Sequence, residues 1–121
     1  ASFFVKDIPV IILFFGIFFL FVIKVPDEFL NVFSAIVTGD SIIRGKPHPD
    51  PYIEGKKKLR TDNLSCIAIE NAPIGIISAV NSGLYCIAIS STVQKEKLCL
   101  ANEVISKFSE LKKTHILGKF F

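Results

Sequence analysis

The stretch "CIAIENAPIGIISAVNSG", residues 66–83, decides the fold. Four apolar residues run straight into Glu70-Asn71. Ala72-Pro73 then opens a pattern of helical spacing through Ile74, Ile77 and Val80-Asn81. A short all-apolar run reads as a strand covered on both faces. Pro73 suits the first turn of a helix, and Gly83 is placed to cap its far end. "YCIAI", residues 85–89, repeats the buried-strand pattern. Strand, helix, strand at this spacing implies a parallel sheet with right-handed crossovers.

Downstream, the pattern predicts a helix over 93–101, a short strand at "EVI" (103–105) and a last short helix in "SELKKTHIL" (109–117). Upstream, "SAIVT" (34–38) reads as a strand ending at Gly39-Asp40. "GKPHPDPY" (45–52) is a stiff loop, because each proline turns the residue before it away from helical angles. Asp50-Pro51 looks like a helix start, with Asp50 as N-cap acceptor and Pro51 in the first turn. That helix runs to residue 59 and "TDN" breaks it. The fold class is therefore α/β: a partial Rossmann-like parallel sheet with flanking helices.

The chain has 121 residues, enough for one domain with a modest core. Its net charge of +3 is too mild to argue for a nucleic-acid partner. Lys56-Lys57-Lys58 reads as a solvated helix face. The three cysteines, Cys66, Cys86 and Cys99, lack C-x-x-C spacing, which gives neither a disulfide framework nor a zinc site. Cys66 and Cys86 lie in apolar runs and read as small buried hydrophobes in a reducing, cytoplasmic setting.

Composition changes near residue 26. Residues 8–23, "IPVIILFFGIFFLFVI", carry no charge or strong polar group over 16 positions. A membrane-spanning helix needs about 20, with a lower limit of roughly 17. Three readings stay open: a buried strand or strand pair, a membrane anchor bearing a soluble head, or a locally disrupted reading frame. The chain divides accordingly into a hydrophobic segment, 1–25, and an α/β core, 26–121.

Ligands of open parallel sheets sit outside the carboxyl ends of the strands. Glu70-Asn71 falls at one such end, Asp40 just past another, and Lys46 on the loop that follows. An acid and an amide there are hard oxygen ligands suited to magnesium. A nearby lysine can neutralise phosphate charge, and the helix start adds N–H groups. Each residue also has a plainer reading. Glu70 stabilises its own helix N-terminus, Asn71 forms a turn, Lys46 is a solvated loop residue, and His48 between prolines is structural. A phosphate-binding P-loop is excluded: five residues separate Gly39 from Gly45, and Pro47 stands where Ser or Thr is needed.

Residues 33–59, "FSAIVTGDSIIRGKPHPDPYIEGKKKL", followed by "CIAIENAPIGIISAVNSGLYCIAI", resemble the haloacid dehalogenase-like hydrolases. The branch is that of the small sugar- and polyol-phosphate phosphatases and β-phosphoglucomutase-like enzymes. The resemblance covers roughly residues 26–112 and rests on a Gly-Lys-Pro-x-Pro-[Asp/Glu] loop and a strand ending in Glu-Asp-[Ala/Ser]-x-x-Gly. It implies a Mg2+-dependent phosphatase of small phosphorylated metabolites that works through an aspartyl-phosphate. Lys46 would be the catalytic, phosphate-binding lysine, and Glu70 and Asn71 would position the metal. It also implies a first strand ending in Asp-x-Asp-Gly-Thr and a cap, neither of which is visible. "KDIPV" (6–10) matches the strand before the family's second motif but continues as "IILFFG", without a phosphate-binding hydroxyl. Asn71 stands where the family has Asp. The expectation is a core fragment, inactive alone, or a non-catalytic degenerate domain. An open sheet edge would favour self-association unless the hydrophobic N-terminus folds back over it.

Overall fold

The computed structural model describes residues 10–13, 37, 42–60 and 66–118. Within them four strands form one all-parallel sheet in the order β1-β2-β3-β4: β1 is Val10–Leu13, β2 Cys66–Glu70, β3 Tyr85–Ile89 and β4 Glu103–Ile105. Two α-helices accompany them, α1 (Asp50–Leu59) and α2 (Pro73–Asn81). The α/β parallel sheet read from the sequence is present.

Period-two alternation gives the sheet two unlike faces. On β2 and β3 the even-numbered residues Cys66, Ala68, Cys86 and Ala88 are small and buried, and they share a core with Tyr52, Ile76, Ala79 and Leu98. Small side chains there let the helices lie close to the strands. The odd-numbered residues are isoleucines, Ile67, Ile69, Ile87 and Ile89, packed with Ile105 and Leu117. All five β2 residues are buried, as a two-sided strand requires.

The helices differ from the sequence reading in their details. Asp50 is the first residue of α1 and does not cap it; Pro49 holds the N-cap position. The Asp50 carboxylate instead accepts from Arg44 Nε at 3.2 Å and Nη2 at 3.0 Å, since a guanidinium fork outcompetes a backbone N–H for one carboxylate. The helix stops at Arg60, in the left-handed region at φ 53. Lys56 is not simply solvated: its ammonium donates to the Ser82 carbonyl at 2.8 Å, satisfying the C-terminus of α2. Gly83 follows that end at φ 83, a conformation glycine adopts without cost. The expected helix over 93–101 is a single 3-10 turn, Lys95–Leu98, and the last one is also 3-10, Phe108–Lys113. Leu98 alone in the first is buried, too narrow a stripe to hold a longer helix down.

The expected strand at 34–38 lies outside the described residues except for Val37, as does Asp40. Of residues 8–23 only β1 is described. It pairs in parallel with β2, Val10 with Cys66 through Leu13 with Ile69, so this apolar run supplies the strand that lines the β2 edge. Among the described residues no helix is long and apolar enough to cross a membrane. Cys66 and Cys86 are buried and Cys99 is exposed, and these three are not in disulfides.

Two substitutions check this packing. Ile87→Ala should lower unfolding free energy by about 2–5 kcal/mol, read as an earlier urea midpoint. Gly83→Ala should cost about 1–2 kcal/mol because Ala is strained at that φ. The exposed control Lys97→Ala should stay within about 0.5 kcal/mol of the parent.

Candidate active site

The centre of the site follows from strand parity. Glu70 ends β2 on the same face as Cys66 and Ala68, the face covered by α1 and α2. A carboxylate there is taken out of water, and Glu70 is only 3% exposed. A buried charge must be paired and hydrogen-bonded. Lys46 supplies the charge: its Nζ lies 2.6 Å from Glu70 Oε1. Tyr52, wholly buried on the first turn of α1, donates its hydroxyl to the same oxygen at 2.5 Å. The Lys46 ammonium also stands 6.0 Å from the Tyr52 ring centroid. The backbone N–H of Asn71 reaches Glu70 Oε2 at 3.3 Å.

The Lys46 loop is fastened at several points. His48 N–H donates to the Gly45 carbonyl at 3.0 Å, and the Lys46–Pro47 peptide is cis. Ser78, fully buried on α2, donates its hydroxyl to the His48 carbonyl at 2.6 Å. The Arg44–Asp50 fork closes the loop against the start of α1. This ion pair is exposed on the arginine side and adds little stability; its value is in fixing the loop's return. The same arginine holds the Asp50 carboxyl below its ordinary range.

Gly75 is the second fastening on α2. A Cβ built at this position would fall 2.2 Å from Glu70 Oε2 and 2.3 Å from its carboxyl carbon. The carboxylate therefore rests on the bare backbone of the α2 first turn, space only glycine leaves open. That gives a physical reason for the glycine five residues after the acid.

The structure thus brings Lys46 and Glu70 together, as the sequence indicated. Asn71 follows at the same strand end, half-buried. Two contributors carry no signal in the sequence reading, Tyr52 and Ser78, while Gly75 is marked only as the glycine of the Glu-Asp-[Ala/Ser]-x-x-Gly pattern. Tyr52 reads only as the end of the proline-rich loop where a helix starts, and Ser78 as one residue of the helix after Glu70.

Burial first, and then the Glu70 negative charge, hold the Tyr52 phenol well above its ordinary 10.0. Burial, followed by the same charge, pushes the Cys86 thiol up to about 12. Tyr52 is therefore a neutral donor throughout the physiological range, and Cys86 a protonated thiol. Tyr85, burdened by burial and by its bond to Glu103, is pushed up to about 12.

Lys46→Met leaves Glu70 buried without its counter-charge and should cost about 3–5 kcal/mol, measured by urea unfolding at neutral pH. Adding Glu70→Gln should recover part of the loss, and an additive double mutant would show the two groups to be uncoupled. Alkaline titration followed by tyrosinate absorbance should find neither of the two tyrosines ionising near 10 in the folded chain. Because both folded values are raised, the stability they contribute is intact below pH about 10, the unfolded-chain value, and is lost as pH climbs towards the folded values. A tyrosine that titrates normally before unfolding would contradict the site as described.

The haloacid dehalogenase-like hydrolase family profile matches residues 27–89, just over half of the chain. Over 87 residues the chain is 30% identical to validoxylamine A 7'-phosphate phosphatase of Streptomyces hygroscopicus subsp. limoneus, covering 72% of this chain and 41% of that protein. It is 34% identical to hexitol phosphatase A of Escherichia coli over 59% of this chain and 32% of the relative. The crystal structure of CbbY from Rhodobacter sphaeroides in complex with phosphate superposes with a TM-score of 0.63 at 28% identity, over 68% of this chain and 37% of that one. The chain thus spans well under half the length of each of these proteins. The match and the shared sheet show that this chain belongs to the haloacid dehalogenase-like hydrolases.

Proposed function

We propose that this chain carries the phosphate- and magnesium-holding part of an active site that hydrolyses small phosphorylated metabolites through an aspartyl-phosphate, and that the chain alone does not turn over. The observation that carries this reading is the 2.6 Å contact between Lys46 Nζ and Glu70 Oε1 at the carboxyl end of β2. Sheets of this kind bind ligands at that rim, and the phosphatase names of the relatives support the substrate class.

The donor set suits magnesium in kind. Glu70 and Asn71 offer hard oxygens, and this ion is commonly held by one or two carboxylates, with waters and substrate phosphate filling the other positions. Glu70 divides its oxygens: Oε1 takes Lys46 and Tyr52, and Oε2 lies on the Asn71 side. Glu70 and Asn71 would hold the ion. When bound it would neutralise phosphate charge. Among the described residues there is no cluster of three or more His, Cys, Asp or Glu.

Lys46 is the residue that meets the phosphate. It is the more open member of its ion pair, with 14% side-chain exposure against 1% for Glu70. An ammonium has three N–H donors, and Lys46 can turn them from Glu70 towards a phosphate oxygen. This stabilises charge on the transferring group. The attacking carboxylate of an Asp-x-Asp pair is missing from the sequence. Without it, lysine and metal have no covalent intermediate to stabilise, hence the expected lack of turnover. A non-catalytic phosphate-binding domain is the second reading, favoured by Asn71, which brings an oxygen but no negative charge.

Purified chain mixed with magnesium and an aryl phosphate should release no product, yet should bind inorganic phosphate in a calorimetric titration. Lys46→Ala should abolish that binding. Turnover that disappears in Glu70→Ala would overturn the inactivity, and unchanged phosphate affinity in Lys46→Ala would overturn the site.

A further inference from the structure

Two donors converge on one oxygen of Glu70, and they differ in kind. The Lys46 ammonium is charged, flexible and partly open, while the Tyr52 hydroxyl is neutral, rigid and sealed in the core. We propose that Tyr52 is a positioning residue: its hydroxyl holds the Glu70 carboxylate in place while the Lys46 ammonium turns to a phosphate group. The proposal rests on the reading of Lys46 as the phosphate-binding residue.

The physical case is one of exchange. An anionic ligand at the rim draws Lys46 away from Oε1. A carboxylate with 1% exposure cannot recruit bulk water in compensation. Weakening a buried pair from one side is expensive when nothing replaces the lost partner. Tyr52 already occupies the same oxygen, and an O–H donor to an ionised acceptor is among the stronger hydrogen bonds. Its ring is locked between α1 and the sheet in the small-residue core, so the hydroxyl cannot follow Lys46. Gly75 leaves the carboxylate room on its other side, and the Asn71 N–H meets Oε2. Glu70 is thus held from the protein side by groups that stay, and from the solvent side by one that moves. A phenylalanine would fill the same volume but leave Lys46 as the only donor of this pair on Oε1, and phosphate would then compete with the carboxylate for it.

The test is a titration of the chain with inorganic phosphate in wild type, Tyr52→Phe and Lys46→Ala. Tyr52→Phe should bind phosphate about tenfold more weakly, the weight of one hydrogen bond to a charged group. The NMR resonance of the Glu70 carboxyl carbon should barely move in wild type on saturation and should shift clearly in Tyr52→Phe. Equal affinity together with equal resonance shifts in the two proteins would overturn the positioning role. Phosphate binding that survives in Lys46→Ala, or its absence from wild type, would instead bring down the underlying phosphate site and this inference with it. If Tyr52→Phe does not fold, wild type alone decides. The Tyr52 hydroxyl proton should stay protected from exchange at saturating phosphate, and loss of that protection would overturn the proposal.

Discussion

A single carboxylate taken out of water organises this structure. Glu70 sits at the end of a strand buried on both faces, and the parity of that strand turns it towards the helices. Everything nearby answers its charge. Lys46 is brought in on a proline-stiffened loop, Tyr52 on the first turn of α1, and Gly75 gives up its side chain so that the carboxylate fits. The cost of leaving such a group unpaired exceeds most single contributions to the stability of a small domain. The site and the fold are therefore not separable here: the residues that would meet a ligand are also those that make the interior electrostatically tolerable.

The same arrangement explains why one face of the sheet is built from alanine and cysteine. Ala68 and Cys86 share their core with Tyr52, which reaches Glu70 from α1. The other face is built from isoleucines packed with Ile105 and Leu117. On the face towards α1 and α2, small side chains thus let strand and helix lie close.

Much of this was legible in the sequence, for identifiable reasons. Two apolar runs separated by a Pro-initiated, Gly-terminated helical pattern leave little choice but parallel strands around a helix, and the strand tip at Glu70-Asn71 marks the rim. Lys46 was legible through its place among the prolines. Tyr52 was not, because an aromatic near a helix start is ordinary core unless the partner of its hydroxyl is known, and that partner lies 18 residues away. Asp50 was misread as a cap because nothing in one dimension reveals that Arg44 returns to claim it. The 3-10 turns at 95–98 and 108–113 were overextended into helices because charged residues with good helical propensity outnumber the few apolar positions that could anchor them.

Gly75 and Ser78 lie three residues apart on α2, neighbours on one side of that helix. The first leaves the space that the acid fills, and the second donates to the loop that carries the lysine. The helix is thereby a common ruler for both partners. A substitution that displaces this helix would therefore disturb both partners of the ion pair at once.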